Sequence, residues 1–171
     1  MSQINTGIRS ILSNAFIYES FQKIMGMHKV RKELVSKYIT PYNVDSVLDI
    51  GCGPADILEF LPHLDYYGFD ISKKYISKAE KKFGSKGKFH AKALNLKAIN
   101  KLPDFDVVLM NGVLHHLDDS IAQDMIKLSK IALRNGGRLL TIDTAFAPNQ
   151  NPIADNNFAS PKPIPSLFLN F

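Results

Sequence analysis

Apolar positions recur with two different periods along the chain, and the change of period separates two regions. Up to about residue 40 they recur roughly every three to four residues, as Val30 and Leu34 do, which predicts amphipathic helices. Pro41 ends this region, because a proline disfavours helical backbone in the residue before it. From Val44 onwards, short apolar runs alternate with helical patterns. The pattern predicts a helical prefix over residues 1–40 and a different fold after it.

Five apolar runs have the length and composition of strands, and helical patterns separate them. Strands that alternate with helices form right-handed crossovers, which build a parallel sheet with helices on both faces. The sequence therefore predicts an α/β fold with a Rossmann-like, doubly wound, mostly parallel sheet. The predicted strands are Val44–Ile50, Tyr66–Ile71, Lys88–Leu94, Asp106–Met110 and Arg138–Thr144, and the predicted helices are Ala55–Leu61, Ser72–Phe83 and one from about Asp118 to Asn135.

The last part of the chain has another composition. Five of the nine prolines lie between Pro148 and Pro165, with asparagine and alanine between them. This composition is typical of an extended tail rather than of a packed element. We therefore expect three parts: the helical prefix 1–40, a core over residues 41–147 and a proline-rich tail over residues 148–171.

Composition excludes several classes of protein. The 171 residues suffice for one domain with a core, and the single cysteine, Cys52, excludes an internal disulfide framework and fits the reducing cytoplasm. No secretory leader and no apolar run of membrane-spanning length is visible, so we expect a cytoplasmic location. The five histidines have no cysteine or carboxylate partners at ligand spacing, so no metal site is predicted.

The formal charge of +5 comes mainly from lysine. Ten lysines lie between Lys73 and Lys101, against one acid, Glu80. A run of this kind can contact nucleic acid or an anionic membrane. It lacks the interleaved arginines and aromatic side chains that are typical of nucleic-acid binding. The favoured interpretation is a solvated lysine-rich face, and nucleic acid is not the predicted partner.

The candidate ligand site follows the first predicted strand, since ligands bind at the carboxyl ends of the strands in such sheets. Gly51 and Gly53 belong to a tight loop that lets a ligand approach the backbone. Asp49, just before this loop, would repel a pyrophosphate and attract a cationic ligand. Asp70 ends the second predicted strand 17 residues after Gly53, where an acid accepts hydrogen bonds from ribose hydroxyls in dinucleotide-type folds.

Two cofactors suit a glycine loop of this kind, and the residues favour one of them. A nicotinamide dinucleotide needs a third glycine at position 56, where this chain has Asp56. S-adenosylmethionine has a ribose, an ammonium and a sulfonium but no phosphate, which suits both carboxylates. The alternatives are that Asp49 braces the loop and that Asp70 caps the next helix, a role that Ser72 can also fill. We expect S-adenosylmethionine as the cofactor.

Four stretches of this region resemble motifs of one enzyme family, the class I S-adenosylmethionine-dependent methyltransferases. Val47–Ala55 resembles their motif I, and Tyr67–Ser72 resembles the acidic motif on their second strand. Asp104–Asp119 is similar to their fourth-strand motif, and Gly136–Leu140 to the turn into their fifth strand. Order and spacing hold over roughly a hundred residues. The paired histidines are closest to the small-molecule branch, which includes ubiquinone- and menaquinone-biosynthesis-type enzymes.

This resemblance implies a binding role for residues at each strand end. The glycine loop would lie against the methionyl part and the ribose, Asp70 would hold the ribose hydroxyls, and Ile71 would contact the adenine. Several family members have an acid after the third strand, but this chain has Ala93 and Leu94, so their backbone or Asn95 would read the adenine. The implied cofactor-binding residues are Asp49, Gly51, Cys52, Gly53, Asp70, Ile71, Ala93, Leu94, and, near the sulfonium, Asn111 and Gly112.

The resemblance also implies transfer of a methyl group from S-adenosylmethionine to an O, N or C atom of a small molecule. A general base helps only where the acceptor loses a proton. His115 and His116 follow the fourth strand, where an acceptor would approach, and are the candidate catalytic residues because a neutral imidazole takes a proton near pH 7. The alternative is that they pack against the strand end. Tyr18 and Phe21 could cap an acceptor, although core packing is the favoured interpretation.

The end of the chain leaves alternatives open. Family domains usually continue beyond the fifth strand with a helix and a strand pair, and too few residues follow Asp143 for that set. We therefore expect shortened or missing C-terminal strands, and an exposed sheet edge or the tail offers a route to a homodimer. A non-catalytic S-adenosylmethionine-binding or scaffold protein is the alternative function. A nucleic-acid methyltransferase is disfavoured, because the fourth-strand motif lacks an Asn-Pro-Pro-Tyr-type site for a base amine.

Overall fold

The computed structural model describes residues 26–114 and 117–143 and the backbone of residues 168–170. The described residues divide into two compact units: one holds those up to Asn43 together with Glu59–Leu61, and the other holds the rest from Val44 onwards. The predicted division into prefix, core and tail stays a prediction. Some residues with a predicted role lie outside these ranges: Tyr18, Phe21, His115, His116 and those of the tail up to residue 167.

In the first unit, residues 26–38 form the described part of helix α1. Leu34 and Val35 are buried on this helix, and Ile39 in the turn after it is buried as well. Their spacing is the helical period that the apolar positions of the prefix predict, so the local pattern is enough to specify this element.

The second unit is built on one sheet, which has six strands in the described parts of the chain. They are β1 (Ser46–Ile50), β2 (Asp65–Asp70), β3 (Lys88–Ala91), β4 (Phe105–Asn111), β5 (Leu133–Ile142) and β6 (Phe168–Asn170). Their spatial order is β3-β2-β1-β4-β5-β6. Strands β1 to β5 pair in parallel, and β6 pairs antiparallel with β5. The predicted Rossmann-like α/β fold is confirmed, and the chain changes direction across the sheet between β1 and β4, where ligands bind in such sheets.

Three helices and a 3₁₀ turn connect the strands in the described residues of this unit. They are the 3₁₀ turn at Asp56–Glu59, α2 (Lys73–Phe83), α3 (Leu96–Ile99) and α4 (Asp119–Ala132). Ser72 is the N-cap of α2, as predicted, since its Oγ accepts a hydrogen bond from the backbone N–H of Tyr75. The sequence pattern does not predict α3, because a helix of four residues is too short to show a period.

Several predicted boundaries differ from the observed ones. The helix expected over Ala55–Leu61 is only the short 3₁₀ turn, and β3 ends at Ala91 rather than at Leu94. Helix α4 ends at Ala132, and the glycines at 136 and 137 lie inside β5 instead of at a helix end. Gly136 has a φ of +77°, and the register between β4 and β5 shifts nearby, so these glycines form an irregularity within the strand.

The central strands carry the core, as expected for a parallel sheet covered on both faces. Every residue of β1 after Ser46 is buried, and so is every residue of β4 before Asn111. Leu48 and Ile50 share one buried cluster with side chains of α3 and α4. Successive side chains of a strand point to opposite faces, so Asp49 faces the other side of the sheet from these two residues.

At the amino edge of the sheet, one buried carboxylate joins three strands. Asp106 Oδ2 accepts hydrogen bonds from the backbone N–H groups of Asp45 and Ser46, both at 2.9 Å, and from Ser46 Oγ at 3.0 Å. The guanidinium of Arg134 forms an ion pair with the other oxygen of Asp106. The start of β4 is thereby held to β1 and β5, far from the carboxyl ends where the candidate site lies.

Candidate functional site

The glycine loop after β1 has a backbone shape that favours glycine at two positions. Gly51 and Gly53 have φ angles of +73° and +56°, in the left-handed region. Ala55 is also left-handed, at φ +56°, although its side chain is buried. The backbone N–H groups of Gly51 and Cys52 both donate to the carbonyl of Phe69, at 2.8 and 3.1 Å. The loop is therefore held against β2, the strand that leads to Asp70 in the chain.

Asp70 brings the glycine loop and the start of α2 together. Its Oδ2 accepts a hydrogen bond from the backbone N–H of Gly53 at 2.9 Å, and its Oδ1 accepts one from the N–H of Ser72 at 2.7 Å. Ser72 itself is the N-cap of α2, so Asp70 does not cap the helix but stabilises the connection that leads into it. A carboxylate offers about four acceptor positions, so two hydrogen bonds leave room for ribose hydroxyls.

Asp49 precedes the loop, near the end of β1, and is only 4% exposed. Its Oδ2 accepts a hydrogen bond from the hydroxyl of Tyr66 at 2.6 Å. Burial first, and then the negative charge of Asp49, raise the pKa of Tyr66 well above its usual value, so the phenol stays a proton donor. Sequence reasoning missed Tyr66. The available signal is the polar aromatic residue on β2, 17 positions after Asp49, the same separation that joins Gly53 to Asp70.

Cys52 stands between the two carboxylates as a neutral thiol. Burial, followed by the negative charges of Asp49 and Asp70, raises the pKa of Cys52 far above its usual value. Its Sγ also lies where a side chain on Gly68 would be, since a Cβ at that glycine would come within 2.8 Å of the sulfur. Gly68 is therefore a second residue that sequence reasoning missed, required because the loop packs directly on β2.

The end of β4 meets the glycine loop, as the topology of a parallel sheet requires. Gly112, with a φ of +70°, donates its N–H to the carbonyl of Ile142 at 2.7 Å. The next side chain, that of Val113, covers Gly51, because a Cβ on Gly51 would come within 2.5 Å of Val113 Cγ2. The structure thus brings Asn111 and Gly112 to the same edge as the loop, and it adds Val113, which the sequence does not single out.

The residues predicted to contact adenine have different environments. Ile71 directly follows Asp70 and is 78% exposed, so its apolar side chain is available to a ligand. Ala93 is exposed, whereas Leu94 is buried in the core and can offer only its backbone. The side-chain oxygen of Asn95 accepts a hydrogen bond from the N–H of Ala98 at 2.9 Å, as the N-cap of α3. The cap therefore uses the oxygen that an adenine amino group would need.

Within residues 26–114 and 117–143, no group of three or more His, Cys, Asp or Glu side chains is arranged to hold a metal ion. Across the same ranges, no helix combines the length and the apolar character needed to cross a bilayer. His115 and His116 fall between these ranges, so their assignment as candidate bases stays a prediction.

Comparison with known proteins adds an independent observation to this geometry. A family model described as "Methyltransferase domain" matches residues 48–139, which is more than half of the chain. The uncharacterized methyltransferase C1B3.06c of Schizosaccharomyces pombe is 30% identical over 119 residues, covering 61% of this chain and 42% of that protein. The chain thus spans less than half the length of this relative.

Solved structures show the same fold. The plantazolicin methyltransferase BpumL, in complex with a triazolic desmethylPZN analog and S-adenosylhomocysteine, superposes with a TM-score of 0.57 at 24% identity, covering 80% of this chain and 52% of that one. An O-methyltransferase from a trans-AT polyketide synthase multienzyme of Brevibacillus brevis, in complex with S-adenosylhomocysteine, superposes with a TM-score of 0.55 at 23% identity. The match covers 73% of this chain and 45% of that one.

Proposed function

Because the chain belongs to the class I S-adenosylmethionine-dependent methyltransferase family, we propose that it binds S-adenosylmethionine at the glycine loop and methylates a small molecule. The observation that carries this proposal is the pair of carboxylates next to the glycine loop: Asp49 is buried two residues before it, and Asp70 accepts a hydrogen bond from the N–H of Gly53. Asp70 suits the ribose of either kind of cofactor, but a dinucleotide would bring two phosphates against the negative charge of Asp49, whereas S-adenosylmethionine brings an ammonium and a sulfonium.

The loop has room and hydrogen-bonding capacity for such a ligand. A Cβ added to Gly53 would meet no atom within 4 Å, so the space beside this residue is open. The remaining acceptor positions of Asp70 suit the two vicinal hydroxyls of a ribose. The negative charge of Asp49 would attract the ammonium group directly or through water, while Tyr66 keeps the carboxylate oriented. The exposed side chain of Ile71 would contact the adenine.

The cofactor supplies an electrophilic methyl group on a sulfonium, and the protein contributes position and environment. The glycine loop and the end of β4, with Asn111 and Gly112, would hold the methionyl end. The acceptor would approach from the segment after β4, where His115 and His116 are proposed to take the proton of a hydroxyl acceptor. Alignment of the two partners and exclusion of water then provide the rate acceleration.

The acceptor is proposed to be a small molecule. The family resemblance of the paired histidines supports this class, and so do the structural neighbours, one a methyltransferase bound to a plantazolicin analog and one an O-methyltransferase of a polyketide synthase. We propose an oxygen, nitrogen or carbon atom as the point of transfer, and no nucleic acid or protein acceptor.

Calorimetric titration with S-adenosylhomocysteine tests the binding step. We expect the wild type to bind and Asp70→Asn to bind about 10- to 100-fold more weakly, since hydrogen bonds to a charged acceptor contribute about 1.5–3 kcal/mol each. Asp65→Asn is the matched control, because Asp65 is exposed at the opposite end of the same strand. A wild type that fails to bind, or equal weakening by both variants, would contradict the proposal.

A labelled methyl group separates the enzyme from the non-catalytic alternative. Incubation of the protein with S-adenosylmethionine and a small-metabolite extract should transfer label to at least one acceptor. Tight binding of S-adenosylhomocysteine without transfer to any acceptor would favour the binding or scaffold protein instead.

A further inference from the structure

Ten lysines lie between Lys73 and Lys101, and we call the exposed surface to which they contribute the lysine surface. They belong to α2, β3, α3 and the adjoining connections, and α2 and α3 follow β2 and β3 in the chain, so both helices begin at the carboxyl edge of the sheet. All ten are exposed. Among the described residues, only Lys82 of this set lies within 4 Å of a carboxylate, that of Asp56. The negative charge of Asp65 also acts on Lys88, and the other eight lysines leave a positive field.

Edge protection explains only part of this surface. Lysines beside an edge strand discourage pairing with another chain, and Lys88 and Lys92 bracket β3 in this way. Lys73 and Lys74 have no such role, since they occupy the first turn of α2, which contains no acid. The positive end of a helix dipole disfavours lysine there. Neither edge protection nor the helix dipole therefore accounts for Lys73 and Lys74.

Two exposed apolar side chains accompany the lysines at the carboxyl edge of the sheet. Tyr75 in the first turn of α2 is 45% exposed, and Leu96 at the start of α3 is 50% exposed. Lysine neighbours flank both of them in the chain, Lys74 before Tyr75 and Lys97 after Leu96. Alternating ammonium groups and half-exposed apolar side chains suit the boundary between phosphate headgroups and acyl chains of a bilayer.

The composition of the lysine surface disfavours nucleic acid as the occupant. Residues 71–101 contain no arginine, so the planar fork that reads guanine and phosphate in two-point contacts is absent. Lysine acts as a hydrated point charge, which suits a diffuse anionic surface. We propose that the carboxyl-edge part of the lysine surface, around Lys73, Lys74 and Lys97, docks the protein onto an anionic phospholipid bilayer. This inference does not depend on cofactor binding.

Sedimentation with vesicles tests the docking. We expect the wild-type chain to bind vesicles that contain about 30% phosphatidylglycerol, and not vesicles of phosphatidylcholine alone, and to be released by high salt. Each lysine near an anionic bilayer changes the binding constant for the vesicles about fivefold. The variant Lys73→Glu/Lys74→Glu/Lys97→Glu should therefore bind at least about 100-fold more weakly.

The matched control is Lys32→Glu/Lys37→Glu/Lys127→Glu, which makes the same change of net charge at exposed lysines on α1 and α4. This control should keep most of the binding. Glutamate in the first turn of α2 is favoured by the helix dipole, so the test variant should fold, which circular dichroism checks. Equal loss in both variants would overturn the proposal, because net charge alone would then explain the binding.

A fluorescent reporter tests where the bilayer lies. The chain contains no tryptophan, so Leu96→Trp introduces a single one. Its emission should shift to shorter wavelength with the anionic vesicles and remain unchanged with the neutral ones. No shift, or binding to a DNA or RNA duplex in place of the vesicles with loss in the same lysine variant, would overturn the proposal.

Discussion

The hydroxyl of Tyr66 and the carboxylate of Asp49 are 2.6 Å apart and almost completely buried. An unpaired carboxylate in this place would be costly, because burial without hydrogen bonds disfavours a charge. The phenol therefore supports both the stability of β1 and β2 and the orientation of the acid beside the glycine loop. One side chain serves the fold and the proposed site together.

Removal of this hydroxyl should affect stability and binding at once. We expect Tyr66→Phe to lower the free energy of unfolding by about 2 kcal/mol and to weaken binding of S-adenosylhomocysteine by about tenfold. Tyr67→Phe is the control, since the hydroxyl of Tyr67 binds the exposed Lys88 instead. Chemical denaturation and calorimetry measure the two effects. Equal affinity in the two variants would show that Tyr66 has no part in the site.

Among the elements, β3 contains a titratable group in an unusual position. The ring of His90 lies 4.5 Å from that of Phe69, and its Nε2 is buried with no hydrogen-bond partner among the described residues. Burial first, and then the charges of Lys92 and Lys88, lower the pKa of His90. The edge strand β3 therefore favours the neutral form of His90.

Acidification should destabilise the protein through this residue. The unfolded chain binds a proton at His90 near pH 6.5, whereas the folded chain does so only at lower pH. The contribution of His90 to the free energy of unfolding should therefore be constant above about pH 7 and should fall as the pH drops below 6.5. His90→Gln should flatten the dependence of the unfolding midpoint on pH, and His63→Gln, at an exposed position, should leave it unchanged. Parallel curves for wild type and His90→Gln would contradict this role.

At the scale of the whole molecule, hydrogen bonds connect neighbouring strands at both the carboxyl and the amino edge of the sheet. At the carboxyl edge, hydrogen bonds join the loop after β1 to β2, and the end of β4 to β5. At the amino edge, Asp106 alone accepts three hydrogen bonds and pairs with Arg134. The contacts of Asp106 therefore stabilise the sheet at the edge opposite to the candidate ligand site.

The contacts of Asp106 should matter for the stability of the fold but not for the binding of S-adenosylhomocysteine. We expect Asp106→Asn to lower the free energy of unfolding by about 3 kcal/mol, because the buried carboxylate loses its charge-assisted hydrogen bonds and the amide of asparagine brings an N–H donor against donors that need an acceptor. Arg134→Ala should cost about 1 kcal/mol, since this side chain is half exposed. Urea unfolding measures both. A larger loss for Arg134→Ala, or weakened binding of S-adenosylhomocysteine by folded Asp106→Asn, would contradict the assignment.

The sequence by itself determined the elements and the loop. Period and composition are local properties, so the parallel strands, the Ser72 cap and the positions of Gly51, Gly53 and Asp70 at strand ends could be predicted. The short helix α3 and the glycines inside β5 could not, because four residues show no period and a glycine pair is typical of both a helix end and a bulge.

Only the tertiary structure decided which distant residues meet. The contacts of Tyr66 with Asp49, of Gly68 with Cys52 and of Val113 with Gly51 depend on the register of strands that are separated in the chain. A parallel register is set by packing across the whole sheet, and one residue of slip would turn each of these side chains to the opposite face. The sequence therefore encodes the loop locally, whereas the surroundings of this candidate site arise from the packed sheet.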